Sequence, residues 1–497
     1  MSVADTTTVE PLTFEDRYGA LPEALYARVA PTPVAQPRLI RLNRALATEL
    51  GLDPDTLAAP AGVEILAGNH VPASANPLAM AYAGHQFGNW VPLLGDGRAV
   101  LLGDIADRRG HRRDIQLKGA GRTLFSRMGD GRAALGPVIR EYVVSEGMAG
   151  LGIPTTRALA MVETGESVRR QRPEPGAVLT RVAASHVRVG TFQYCLGRGD
   201  HDSIRALADH VIAHHYPELK DAERPYLGLL EAVTHRTADL VAQWLLVGFI
   251  HGVMNTDNVS IAGETLDYGP CAFMDHYHPG TVFSSIDAQG RYAYDQQAHI
   301  GQWNLARLAE CLLPLLGDDQ EQAVADATEV LDGYVARFEA AHHDGLAAKI
   351  GLNERRDGDL DLANDLLRRM DDNDADFTLT FRRLADAVDG SGEAGVRALF
   401  RDPAAFDSWA TQWRERLAAD DLSDDTRRTA MRTVNPAYIP RNHRIQQVID
   451  AAEAGDLQPL DELLTVVARP FEDHPELARY AAPPAPEEVV RRTFCGT

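Results

Sequence analysis

A chain of 497 residues with 45% hydrophobic and 24% charged residues has material for two or three packed domains and the composition of an ordinary globular protein. Its net charge of -22 argues against a general binder of phosphate backbones, whose surface is usually basic, but leaves room for a local cationic pocket. The four cysteines, Cys195, Cys271, Cys311 and Cys495, show neither C-x-x-C nor zinc-ligand spacing, so no disulfide framework is expected.

The opening MSVADTTTVEPLTFED lacks the basic start and apolar core of a signal peptide. No apolar run approaches the roughly 20 residues that cross a bilayer. These features predict a cytoplasmic protein with no membrane or nucleic-acid partner, and a monomer is expected although no sequence feature fixes the oligomeric state.

Residues 1–85 read as a helical, loop-rich N-terminal extension. A Pro-rich connector at 31–37 precedes a helix predicted over 39–52 (LIRLNRALATELGL), closing at Gly51. Residues 82–90 are rich in glycine and aromatics and read as a loop.

From 86 to 195 the pattern changes to strands. Residues 91–94 lead to the turn Gly95-Asp96-Gly97-Arg98, which is followed by an apolar run over 99–105. A D-G turn between apolar runs signals a hairpin. Glycine also lets backbone approach phosphates, although an isolated GDG is more often a plain turn. A further strand, DIQLK, ends on Lys118, one of only three lysines in the chain. After a Gly- and Arg-rich stretch, residues 138–148 (VIREYVVSEGM) form a helix containing Glu141. A strand lysine followed one helix later by a glutamate is the layout of the kinase Lys–Glu ion pair, while alone Glu141 would be an exposed helix carboxylate. Strands are predicted over 157–163 and 177–183, joined by a charged loop over 164–175. Arg181 lies in the second strand and Arg188 shortly after it.

Residues 196–345 read as mostly helical and carry the chemistry. A buried helix over 240–250 leads into His251-Gly-Val-Met-Asn-Thr-Asp-Asn258, a β-like run over 259–261, a turn at Ala262-Gly263, and Asp267-Tyr268-Gly269. An Asn and an Asp at opposite ends of a short hairpin can offer oxygens to one hard cation such as Mg²⁺, as a kinase catalytic-loop Asn and D-F-G Asp do. In H-R-D-x-x-x-x-N the base stands two residues after the histidine. Here that position is Val253, so the usual base is absent. Asp257, next to Asn258, is either a displaced base or a second metal ligand or loop cap. Residues 346–497 read as an acidic, helical C-terminal extension, with an irregular loop at 435–444.

Assembled, the stretches YAGHQFGNWVPLLGDGRAVLLGD, DIQLKGAGRTLFSRMGDGRAALGPVIREYVVSE, HVRVGTFQY, HGVMNTDN, LDYGPCAFMD, NPAYIPRNHR and TFCGT resemble the selenoprotein O family of protein adenylyltransferases. The resemblance implies an α+β, protein-kinase-like two-lobed fold that lacks the usual catalytic Asp and binds ATP reversed. It implies Mg²⁺- or Mn²⁺-dependent transfer of AMP to Ser, Thr or Tyr hydroxyls of protein substrates. By motif, Gly95, Gly97, Arg98, Lys118, Asp130, Gly131, Arg181 and Arg188 would contact the nucleotide. Asn258 and Asp267 would hold the metal, Asp267 thereby also serving the nucleotide, and Asp257 would be the base. Animal members of the family carry selenocysteine where Cys495 stands, and Cys271 and Cys495 form a candidate redox pair. A true kinase using Asp257, a uridylyltransferase using Mn²⁺ and a non-catalytic nucleotide-binding scaffold are the alternatives.

Overall fold

Alternation along Asp114-Ile-Gln-Leu-Lys118 sets the geometry of the β-rich half. Ile115 and Leu117 are fully buried on one face of their strand, so Gln116 and Lys118 fall on the other. The computed structural model describes residues 12–494. Its main sheet is antiparallel and eight-stranded among those residues. The strands are β1 (Tyr26–Arg28), β2 (Arg38–Leu42) and β3 (Leu78–Met80), then, past a small separate hairpin of β4 (Gly84–Gln86) and β5 (Asn89–Val91), β6 (Ala99–Ala106), β7 (Arg112–Lys118), β8 (Ala133–Ala134), β9 (Arg157–Arg169) and β10 (Pro173–Ala183). Their order is β1-β3-β6-β7-β10-β9-β2, with β8 also on β10.

The two faces of the sheet have different partners. Helices α1 (Arg44–Glu49), α2 (Pro54–Ala58) and α3 (Pro60–Ala67) bury Leu46, Leu57, Ile65 and Leu66 against Ile115, Leu117, Leu159 and Val178. Helix α4 (Leu135–Gly150) buries Ile139, Tyr142 and Val143 with Met161, Ala177 and Leu179 on the opposite side. That is the face of Lys118, which is why a lysine on β7 and a glutamate on α4 can meet.

The chain crosses to a helical half through α5 (Val189–Leu196) and α6 (His201–His215). Long helices α7 (Pro225–Leu246), α8 (Gln297–Leu316) and α9 (Gln320–Lys349) then pack on one another. Two short strands, β11 (Phe249–Ile250) and β12 (Ala272–Phe273), pair and close the neck of the 251–271 loop. Seven further helices follow among the described residues: α10 (Asp359–Asp372), α11 (Phe377–Leu384), α12 (Glu393–Arg397), α13 (Pro403–Leu417), α14 (Asp424–Val434), α15 (Asn442–Glu453) and α16 (Gln458–Val467). The last two return to pack on α4. No helix among the described residues is long and apolar enough to cross a membrane.

Several local expectations are corrected. Residues 39–42 form an edge strand instead of a helix start, because Arg38 and Leu42 pair with Glu163 and Ala160 of β9. The charged stretch 164–175 is mostly strand, since β9 and β10 run on as a long hairpin, with Pro173 opposite Arg169. The helix predicted over 240–250 ends at Leu246. The β-like run at 259–261 makes only an isolated bridge, from Ser260 to Arg188.

Candidate active site

Three cations converge on one carboxylate where the sheet meets the helical half. Arg181 of β10 stands opposite Gln116 of β7 in register, and Leu179 opposite Lys118. The Lys118 ammonium lies 2.5 Å from Glu141 Oε2. The Arg181 guanidinium donates to Glu141 Oε1 through Nε at 2.8 Å and to Asp267 Oδ1 through Nη2 at 2.7 Å. Arg188 Nη1 donates to Asp267 Oδ2 at 2.5 Å and to the Asp257 carbonyl at 2.7 Å. Lys118 Nζ completes the set, 3.6 Å from Asp267 Oδ1.

The electrostatics follow from burial and pairing. Burial works against the charge of Asp267, yet Arg188, Arg181 and Lys118 together hold its carboxyl well below the usual range. Glu141 is likewise kept ionised against burial by Arg181 and Lys118. Burial pulls the Lys118 ammonium down, with Glu141 opposing. The Asp267 backbone sits at φ 64, a left-handed conformation that Asp tolerates better than most residues.

His251 ties the two ends of the loop together. Its Nε2 lies 2.9 Å from the Leu266 carbonyl and its Nδ1 accepts from Val253 N at 3.4 Å, a pattern that fits the neutral Nε2–H tautomer. The Asn258 amide donates to the Val253 carbonyl at 3.0 Å, which directs its oxygen to the other side of the group. An Asn oxygen with an Asp carboxylate is a hard, sparse donor set suited to Mg²⁺ that shares its shell with phosphate and water. Among the described residues no cluster of three or more His, Cys, Asp or Glu could hold a metal.

Asp257 is buried, and burial pushes its carboxyl up to about 6 while Arg188 opposes the rise. Gln86 Nε2 donates to its Oδ2 at 3.3 Å, and its Oδ1 is buried with no partner. The β4–β5 hairpin bonds three successive residues of this loop. His85 N donates to Thr256 Oγ1 at 2.7 Å and Phe87 N to Asn255 Oδ1 at 3.0 Å, with Gln86 on Asp257 between them.

The Gly95–Arg98 turn is built for close packing. Gly95 has φ +81, and a Cβ there would lie 2.3 Å from the Phe125 ring. The loop after Lys118 is fastened to it: Thr123 Oγ1 donates to the Asp96 carbonyl at 2.6 Å and Ser126 Oγ to the Gly97 carbonyl at 2.5 Å. The Arg98 carbonyl accepts from Gly119 N at 2.7 Å. Gly131 (φ +72) sits where a Cβ would run into the Gly121 backbone. Exposed Asp130 pairs with Arg170 at 2.8 Å.

Sequence reasoning had passed over four residues of this region. Asp96, buried within the turn, accepts from Met80 N at 3.2 Å and Gln116 Nε2 at 3.0 Å. Gln116 also accepts from Arg181. The Tyr82 ring lies under Arg188, 4.6 Å from its centroid. Gln86 is the fourth. A polar residue in the cleft-facing phase of DIQLK was the only available signal, and it pointed to Gln116 alone.

Cys271 is buried beside this loop, and Cys495 lies outside the described residues. The chain just before it is docked: Thr493 N donates to the Phe283 carbonyl at 2.8 Å and Thr493 Oγ1 to the Pro270 carbonyl at 2.5 Å.

Comparison with known proteins bears on this arrangement. The family described as protein adenylyltransferase SelO matches residues 8–468. A protein nucleotidyltransferase YdiU from Bradyrhizobium sp. (strain ORS 278) is 63% identical over 486 residues, covering 97% of this chain and 99% of its own length. Its namesake from Rhodopseudomonas palustris (strain BisB18) is 62% identical over 485 residues, with the same coverage of both chains. On that match, the chain belongs to the protein adenylyltransferase SelO family.

Proposed function

We propose that this cleft transfers AMP from ATP to Ser, Thr or Tyr hydroxyls of protein substrates and releases pyrophosphate. The observation that carries the reading is the convergence of Lys118, Arg181 and Arg188 on Asp267 beside a loop whose usual base position is Val253. Three cations where the sheet meets the helical half, Lys118 partly exposed and Arg181 and Arg188 buried, suit the β- and γ-phosphates of a triphosphate bound end for end. The α-phosphorus then faces the acceptor and pyrophosphate departs. The fold is read as kinase-like and two-lobed, with lobes at 86–195 and 196–345 and extensions at 1–85 and 346–497.

In this reading Glu141 holds Lys118 and Arg181 on target, so their charge is in place before the reaction begins. Gly95 and Gly97, packed against Phe125 and Ser126, shape the turn that contacts the triphosphate, with Arg98 beside it and Asp130 and Gly131 on the adjoining loop. Asn258 and Asp267 would hold Mg²⁺ (or Mn²⁺), which when bound offsets charge on the phosphate oxygens. Asp257 takes the acceptor proton, a role worth roughly 10²–10⁴-fold when well placed.

ATP labelled at the α- or the γ-phosphate, incubated with the protein and a cell lysate, tests the reading. AMP transfer labels acceptors from the α position only. With the lysate heat-inactivated so that its own kinases are silent, label from the γ position would establish a kinase, label only from α-labelled UTP with Mn²⁺ a uridylyltransferase, and none from either nucleotide a scaffold.

A further inference from the structure

The 84–91 hairpin reaches the Asp257 carboxylate through Gln86, and nothing in the reaction scheme above uses it. Gln86 Nε2 donates to Asp257 Oδ2 at 3.3 Å. The remaining oxygen, Oδ1, is buried without a partner, against Gly84, where a Cβ would lie 2.8 Å from it. On the far side, a Cβ on Gly190 would come 3.2 Å from the Asp257 Cα and 2.3 Å from the Ala83 carbonyl. Gly84 therefore lies against the carboxylate, Gly190 against the backbone of the same residue, and one amide orients the group.

The hairpin itself is rigidly seated. Its turn, Phe87-Gly88, has φ of 51 and 81, the left-handed pair of a tight two-residue connection. The Phe87 ring packs 5.1 Å from Tyr292, whose hydroxyl donates to Asn255 Oδ1 at 2.6 Å. His85 stands between Trp90 at 5.0 Å and Trp303 at 5.4 Å, and its Nδ1 lies 2.9 Å from Gln193 Nε2. Gln86 is thus delivered to Asp257 by a clamp braced at both neighbouring residues.

From this geometry we propose that Gln86 is the positioning residue of the proton acceptor: with Oδ1 packed against Gly84, its amide fixes the Asp257 carboxylate so that the second lone pair of Oδ2 meets the incoming hydroxyl. The proposal rests on the transferase reading. In the step it serves, the acceptor oxygen bonds to the α-phosphorus and the bond from that phosphorus to the bridging oxygen breaks. Pyrophosphate leaves with the electron pair, and the hydroxyl proton passes to Asp257. A carboxylate free to rotate loses the alignment on which such proton transfer depends, and misplacements of this kind cost up to about a hundredfold.

The test uses the full-length protein, α-labelled ATP and lysate acceptors, with ATP affinity measured separately by calorimetry. Wild-type protein is assayed first: absence of transfer there rejects the transferase reading itself, and this assignment with it. Given wild-type transfer, Gln86→Ala is expected to slow turnover about tenfold to a hundredfold with ATP affinity within about twofold. Gln86→Glu keeps the shape but replaces the donor with a like charge, so it is expected to be at least as slow. A residue that merely fills space would tolerate Glu better than Ala. Near-wild-type turnover in either variant, or a loss confined to ATP affinity, overturns the assignment. A Gln86→Ala crystal structure with Asp257 unmoved would do the same.

Discussion

The guanidinium of Arg188 reaches Asp267 Oδ2 at 2.5 Å through the same nitrogen that holds the Asp257 carbonyl at 2.7 Å. One side chain therefore links the residue before Asn258 to Asp267 on the far side of the 251–271 loop. The carboxylate proposed as a metal ligand is neutralised by the protein's own cations.

Metal and nucleotide should consequently bind with strong mutual help. Without phosphates, a divalent ion competes with Arg181, Arg188 and Lys118 for Asp267. Phosphates draw those cations away and release the carboxylate. Calorimetry is expected to show Mg²⁺ binding at least about tenfold tighter with a non-hydrolysable ATP analogue than alone, and the analogue tightened by the same factor, as linkage requires. Equal Mg²⁺ affinity in both conditions would contradict this.

Asp267→Asn should abolish label transfer and also destabilise the protein. It leaves Lys118 and Arg181 sharing Glu141 and strips buried Arg188 of its closest carboxylate, and breaking such a buried pairing typically costs about 3–5 kcal/mol. A triphosphate supplies the missing charge, so the thermal midpoint should recover more on adding ATP than that of wild type. Differential scanning fluorimetry with and without ATP measures both effects.

Gly131→Ala should loosen the loop that lies on the Gly95–Gly97 turn. The residue sits at φ +72, and an added Cβ would meet the Gly121 backbone at 2.2 Å. The left-handed conformation alone costs roughly 1–2 kcal/mol for a residue with a side chain. A lower melting temperature and weaker ATP binding are expected together, with wild-type values for both counting against the packing described.

Lys349 gives a pH-dependent prediction far from the cleft. Its ammonium is buried over the rings of Phe381 at 4.3 Å and Phe377 at 5.4 Å, and burial pulls it down to about 7 from an ordinary 10.5. The unfolded chain thus binds the proton more tightly than the folded one, and stability rises with pH between about 7 and 10.5 on this account. The cost is fully present below pH 7 and gone above 10.5. Lys349→Met should therefore stabilise by a few kcal/mol at pH 6.5 and by much less at pH 10.5, as denaturant titrations at the two pH values would show.

The proposed pairing of Cys271 with Cys495 is checked by peptide mapping. Thr493 is bonded to the carbonyl of Pro270, the residue before Cys271. Oxidised glutathione is expected to yield a Cys271–Cys495 linked peptide that disappears on reduction and is reduced in yield in Thr493→Ala. No linked peptide in wild type would end the proposal.

How much of this was legible beforehand depended on whether a residue's role is local. Lys118 and Glu141 were suggested by a strand lysine followed by a helix glutamate, and Arg181 came from the family resemblance; the structure brings the three together on one face of the sheet. Asn258 and Asp267 were proposed as metal ligands from their spacing around a turn. The strand at 38–42 was mistaken for a helix because Leu39, Leu42, Leu46 and Leu50 satisfy a helical spacing, and only pairing with β9, more than a hundred residues away, decides the matter. Asp96 looked like any turn aspartate, since its bonds to Met80 and Gln116 join separate strands. Gln86 was hidden for the same reason: its partner Asp257 lies 171 positions along the chain.

The crossing from sheet to helices runs through the site itself. Val187 and Val189 exchange backbone hydrogen bonds with Ile261 and Val259, with Arg188 between them. Arg188 thus stays with the loop that carries Asp267, and a swing of one half against the other would strain the bond from Arg181 of the sheet to that carboxylate. Whatever lodges there acts as a splint, and its arrival or departure should be felt as a change in stiffness throughout the molecule.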